Sequence, residues 1–133
     1  MPDFTHVSWI AVIVAAVVQI VIGYVWYMPT VFGKRWEAAT GKTLPTGMPA
    51  PMALGMMVIG ALLAAYGLAL YFGGGGLVNG AEWGLLTWLY FMAAPLAGVV
   101  VFEGRSWNWW LVVAGYWLVG MIVMGAIVGY FTV

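Results

Sequence analysis

Four long apolar stretches, separated by three short polar breaks, organise this chain. They run from about Val7 to Met28, Met52 to Phe72, Ala81 to Phe102 and Trp109 to Phe131. A helix rises 1.5 Å per residue, so about 20 mainly apolar residues cross the hydrocarbon of a bilayer. Each stretch meets that length. Lipid offers no partner to exposed backbone amides, and a helix satisfies its own, so each stretch predicts a spanning helix. The expected fold is all-α and integral to the membrane, with four transmembrane helices in a single domain over residues 1–133.

The breaks carry the punctuation. Pro29 lacks an amide hydrogen and should end the first helix. In the first break, Val31–Ala39 predicts a short interfacial helix that carries Phe32 and Trp36 beside Lys34 and Arg35. Gly41–Pro51 is rich in turn residues and predicts irregular chain. Gly73–Gly76 should close the second helix. Asn79 then reads as an N-cap, with Glu82 three residues on as its capping-box partner. Pro95 predicts a kink in the third span. Trp9, Tyr71, Trp83 and Tyr130 fall at one membrane interface, and Trp26, Tyr27, Trp107, Trp109 and Trp110 at the other. Amphipathic rings prefer that depth.

Composition agrees. The chain is 65% hydrophobic and 6% charged, against about 25% charged in ordinary soluble domains. Net charge is zero, so no global field attracts nucleic acid, and none is expected as a partner. There is no cysteine, which excludes disulfides, thiolate metal sites and thiol nucleophiles. All four Lys and Arg residues lie in two breaks: Lys34, Arg35 and Lys42 in the first, Arg105 in the third. Four spans put these breaks on one face. The positive-inside rule assigns that face to the cytoplasm. The expectation is a multi-pass protein of a bacterial inner membrane with both termini outside. The first stretch lacks a basic leader and an A-x-A site, so it reads as a retained helix.

Chemistry is sparse. No ionisable residue lies at bilayer depth, which argues against proton-coupled transport and against the small multidrug transporters. His6 and Ser8 are neighbours in sequence only, so no catalytic set is expected, and no cofactor. Met48, Met52 and Met56 recur every four residues, with Met57 adjacent. Thioethers suit Cu(I), but Met also fills irregular apolar space, and no metal centre is expected. The polar residues at depth are Gln19, Tyr66, Thr87, Tyr90 and Tyr116. They either line a small-ligand cavity or hydrogen-bond between helices.

Small residues mark packing faces: Ala11, Ala15 and Gly23 beside Gln19 on the first helix, Gly55, Gly60 and Ala64 on the second, and Gly125 and Gly129, with Gly115 and Gly120, on the fourth. Such faces bring helices together within a chain or between chains. Glu103 and Arg105 flank Gly104 and read either as an acid–base pair for a headgroup or partner, or as a topology determinant. The segment from Val31 to Trp36 also resembles that from Val101 to Trp107. Duplication would give two tandem helical hairpins related by an axis along the membrane normal. Convergence at two inner boundaries would give the same pattern.

Trp26-Tyr27-Met28-Pro29-x-x-Phe32-Gly33-Lys34-x-Trp36 resembles the W-Y-x-P-x-x-F-G-K-x-W signature of a bacterial membrane family, domain of unknown function 1761. Phe102-Glu103-Gly104-Arg105, Ala114-Gly115-Tyr116 and the Gly-rich last helix resemble its second half. The resemblance implies a four-span protein and no established activity. The family pattern places a polar residue after Gly-Tyr, where this chain has Trp117. The expected function is non-enzymatic: a structural or accessory membrane protein that self-assembles or joins a larger complex. The alternative is a carrier or channel for a small apolar or weakly polar solute, which needs a cavity between helices.

Overall fold

The computed structural model describes residues 4–44, 51–72 and 75–131. Six α-helices follow in order: α1 (Trp9–Trp26), α2 (Lys34–Thr40), α3 (Pro51–Phe72), α4 (Gly76–Trp88), α5 (Ala94–Glu103) and α6 (Trp107–Phe131). Single π-helical turns at Pro29–Gly33 and Leu89–Ala93 join α1 to α2 and α4 to α5. Four units are long and apolar enough to cross a membrane: α1, α3, α4 with α5, and α6. The described residues contain no strand. The protein is thus an all-α, multi-pass membrane protein.

Local chemistry explains the boundaries. The Ser8 hydroxyl accepts the Ala11 amide at 3.4 Å and caps α1. Met28 is extended, as a residue before proline must be. Pro29 then opens the π turn, and the Gly33 amide donates to the Met28 carbonyl, five residues back, at 3.0 Å. Gly33 is buried, and a Cβ there would run into the Tyr27 carbonyl. The interfacial helix therefore starts at Lys34, three residues later than its apolar pattern suggests. It ends at Gly41, whose φ of +72° suits glycine.

Two expectations need correction. Asn79 is not an N-cap. Gly75 and Gly76 have φ of +80° and +91°, so they complete the chain reversal early and helix begins at Gly76. Asn79 lies in the first turn, and a Cβ on Gly75 would strike its side chain. Glu82 is therefore an exposed residue of the second turn. The second correction concerns α3. A Cβ on Gly55, Gly60 or Gly67 would meet no described atom within 4 Å. Within the chain this helix seats itself through Ala64 of that face together with Ala61, Ala65, Leu68 and Ala69, which leaves the glycines to the between-chain alternative. Gly73 and Gly74, Met48 and most of 45–51 lie outside the described residues.

Pro95 acts through the π turn ahead of it. Proline offers no amide, and its ring crowds the carbonyl four residues earlier, that of Phe91. One widened turn at Leu89–Ala93 accommodates both effects. The two resembling segments, by contrast, fold differently. The first forms the π turn and α2. In the second, Gly104 (φ +66°) ends α5 and the Ser106 hydroxyl accepts the Asn108 amide at 3.0 Å, so α6 starts at once.

α6 is the centre of the bundle and packs against α1, α3 and α4. It runs antiparallel to α1, with Gly23 against Tyr116 and Gln19 against Gly120. Further along the same seam, Ala11, Val12 and Ala15 share a core with Met124 and Val128. Against α4 the approach is backbone to backbone: Gly76, Gly80 and Gly84 face Gly129, Gly125 and Met121.

Candidate functional site

A cavity of about 300 Å³ opens between α1, α2, α3 and α6. It lies at the end of the bundle where α1 stops and α6 begins, so Lys34, Arg35, Lys42 and Arg105 all belong to this end. Its walls come from every part of the chain that meets there. Ile20, Gly23 and Tyr27 come from α1 and its cap, and Trp36 from α2. Leu44 follows α2, Met56, Met57, Gly60 and Ala61 belong to α3, and Tyr116 and Trp117 to α6.

Aromatic contacts hold the wall in place. The Trp26 indole donates to the Val112 carbonyl at 2.9 Å and packs on Phe32, with 4.5 Å between ring centroids. Gly115 leaves room for this ring, since a Cβ there would come within 3.1 Å of it. Tyr27 meets Trp36 edge-on at 6.5 Å and Tyr116 at 5.7 Å. The Tyr116 hydroxyl donates to the Gln19 main-chain carbonyl at 3.1 Å, directly over Gly23. Edge-to-face ring pairs contribute about 0.5–1.5 kcal/mol each beyond their buried area. The two segments that resemble the family signature, Trp26–Trp36 and Ala114–Tyr116, thus build one structure. Lys34 and Arg35 point their charges outward beside it and are exposed. Glu37 accepts the Leu44 amide at 3.2 Å, which ties the chain after α2 back to that helix and sets Leu44 in the wall.

Gln19 behaves differently from its expected role. It is fully buried, and among the described residues neither atom of its amide has a hydrogen-bond partner. The amide fills the space that a Cβ on Gly120 would need. The cross-helix hydrogen bond comes from Tyr116 to the Gln19 backbone instead. Gln19 lies one turn beyond Gly23, behind Tyr116, and does not line the cavity.

The remaining candidates scatter. Tyr66 stacks on Trp9 at 5.2 Å, at the opposite end of the bundle. The Thr87 hydroxyl donates to the Trp83 carbonyl at 2.7 Å, within its own helix. Thr87 also borders a second, apolar cleft of about 550 Å³ between α3 and the α4–α5 unit. Tyr90 is 65% exposed on the outer surface of the π turn. Glu103 and Arg105 pair at 3.5 Å, both exposed, with the guanidinium 4.9 Å from the Trp109 ring centroid. Phe102, 90% exposed, points away from the bundle. The second motif therefore does not join the cavity. His6 precedes α1, at the other end from Glu103 and Arg105. Among the described residues no three His, Asp or Glu side chains come together as metal ligands would.

Sequence reading missed several contributors. Trp88 donates to the Ala114 carbonyl at 2.9 Å and Trp110 to the Ala93 carbonyl at 3.1 Å, so with Trp26 three indoles pin helices to main chain. Trp26 and Trp110 stand out in the sequence as interfacial rings, but nothing there selects Trp88 or shows that the three indoles donate to main chain. Gly76, Gly80 and Gly84 did carry a signal, their spacing of four. The aliphatic wall residues Leu44 and Ala61 carried none, and Met57 stood out only as a neighbour of the spaced methionines.

The model of the family described as Protein of unknown function (DUF1761) matches residues 10–129. The chain belongs to this family. The match runs from α1 almost to the end of α6 and includes every residue lining the cavity. No curated protein and no solved structure matches the chain.

Proposed function

We propose that this family member binds a small, predominantly apolar solute in the cavity at its cationic end, and that it does so without catalysing a reaction. The carrying observation is convergence. The Trp26–Trp36 signature and the Ala114–Tyr116 segment, far apart in the sequence, share one wall of a space of about 300 Å³. Ligand sites start at about that volume and are mostly apolar with a few fixed polar groups. Here the wall offers the hydroxyl of Tyr27, while that of Tyr116 already donates to the Gln19 carbonyl. No Lys, Arg, Asp or Glu lines the cavity among the described residues, so the bound portion is uncharged. Trp117, in place of a polar residue, makes the wall still more apolar. In this reading the membrane is a bacterial inner membrane, the cationic end faces the cytoplasm, and both termini lie outside.

Native mass spectrometry on protein extracted gently from its membrane tests this. The expected result is a small molecule retained by the wild type and lost from Gly60→Leu, whose new side chain starts from an open position on the cavity wall. Equal retention by both, or none by the wild type, overturns the reading.

A second reading rests on α3. A Cβ on Gly55 would meet no described atom within 4 Å, and Gly55, Met52, Ile59 and Leu63 are exposed on this helix. A structural or accessory protein that self-assembles, or joins a larger membrane complex, would present such a face. Gly55→Leu should then break a defined assembly seen by crosslinking in the membrane. An unchanged crosslinking pattern argues against it.

A further inference from the structure

The occupant of the cavity is a lipid chain, if the binding reading above is right: we infer that one acyl chain of an anionic phospholipid enters it while the headgroup rests on Lys34, Arg35 and Lys42. Three features of the site lead there. The first is what the wall lacks. Its residues are aromatic, thioether, aliphatic or glycine, and of its two hydroxyls that of Tyr116 is already engaged by Gln19. A polar solute would leave its own groups unpaired in such a space, whereas hydrocarbon leaves none.

The second feature is shape and depth. The cavity is only about half enclosed, and Met56, 63% exposed, stands on its wall. It lies at the end of the spans, level with Trp26 and Tyr27, where one leaflet's chains meet their headgroups. About 300 Å³ holds about ten water-sized groups, and a methylene is of similar size. That is most of an acyl chain but not all of it, so the chain end continues through the open side into the bilayer.

The third feature is charge. Lys34 and Arg35 immediately precede Trp36, and Lys42 stands two residues before Leu44. Both flanked residues are wall residues, so the stretch of chain from Lys34 to Leu44 forms the rim at that end, and its three cations are exposed to what lies outside it. Glu37 is the one acid between Lys34 and Leu44, and the Leu44 amide engages its carboxylate. The rim thus carries three positive charges against one negative. Arg105, already paired with Glu103, adds no net charge. A phosphate-bearing anionic head complements this rim, and a zwitterionic head does so less well.

The test uses the full chain in nanodiscs of equal phosphatidylglycerol and phosphatidylcholine, followed by native mass spectrometry. Wild-type protein should retain one phosphatidylglycerol. Gly60→Leu should lose it. Replacing Lys34, Arg35 and Lys42 each by Gln should lower the preference for phosphatidylglycerol about fivefold per charge removed. A phosphatidylglycerol with a photoreactive chain gives an independent reading on the unaltered protein, with crosslinks expected at Tyr27, Met57 or Tyr116. Crosslinks confined to outward residues such as Phe91 or Phe102 overturn the inference. So does equal retention of both lipids that the three Gln substitutions leave unchanged. Retention of a non-lipid molecule that Gly60→Leu removes overturns the lipid assignment and leaves the binding function standing. No retained molecule of any kind overturns both.

Discussion

The α4–α6 seam and the seat of α3 use the same raw material in opposite ways. Both α4 and α3 carry glycines inside an apolar helix. On α4 they are filled space: a Cβ on Gly80 would strike the Gly125 main chain, and one on Gly84 that of Met121. On α3 they are empty space, with nothing described within 4 Å of Gly55, Gly60 or Gly67. Lipid tails are as apolar as leucine, so burial of hydrocarbon does not itself draw helices together. Close approach does, through dispersion between atoms that glycine allows to touch. The seam with glycine on both sides is therefore the one where backbones meet directly. The helix seated through alanines and leucines, with Tyr66 and Phe72 stacking beside them, leaves a cavity towards α1 and α6 and a cleft towards α4 and α5.

Substitutions in each region break or sharpen this contrast. Gly80→Ala should have the largest effect, because the obstacle is main chain and cannot rotate away. Overpacking costs about 1–3 kcal/mol, and the upper end is expected here. Reversible unfolding in mixed micelles measures it, and a neutral result would mean that the seam is loose. Gln19→Met should act in the other direction and stabilise the α1–α6 contact by about 1–2 kcal/mol. It keeps the shape and removes a buried amide that bonds to no described residue. Destabilisation in the same assay would show that the amide has a partner, such as bound water. Trp26→Phe should lose about 0.5–1.5 kcal/mol with the hydrogen bond to Val112. It should also uncouple Phe32, visible as faster proteolysis between α1 and α3. Gly55→Ala should change stability by less than about 0.5 kcal/mol, since the added methyl meets open space. A large effect there would reveal a neighbour on α3 that the isolated chain does not contain.

Fold and family were both legible in advance, and each for a one-dimensional reason. A span is a run of about 20 apolar residues, and the family signature is a string of identities at set spacings. The site was legible only in part. Tyr27, Trp36 and Tyr116 stand in recognisable motifs, but their meeting depends on the π turn at Pro29–Gly33 and on how α6 is rotated. Gln19 is buried, but its amide has no described partner, and the hydrogen bond across the helices runs from Tyr116 to its backbone. Tyr90 sits at the right depth and on the outer face. When every face of a helix is apolar, hydropathy loses the periodicity that tells inside from outside in soluble proteins.

The sequence alone therefore determined four spans, their order, the gathering of cations at one end and the membership of a family. Tertiary structure decided which glycines touch, which aromatic rings share a wall, and where space is left. Spans follow from the transfer of each segment into lipid, a property that segment has by itself. Contacts follow from the rotation and approach of pairs of helices, set by the shapes of both. Gly80 and Gly55 differ in nothing but the helix that lies opposite.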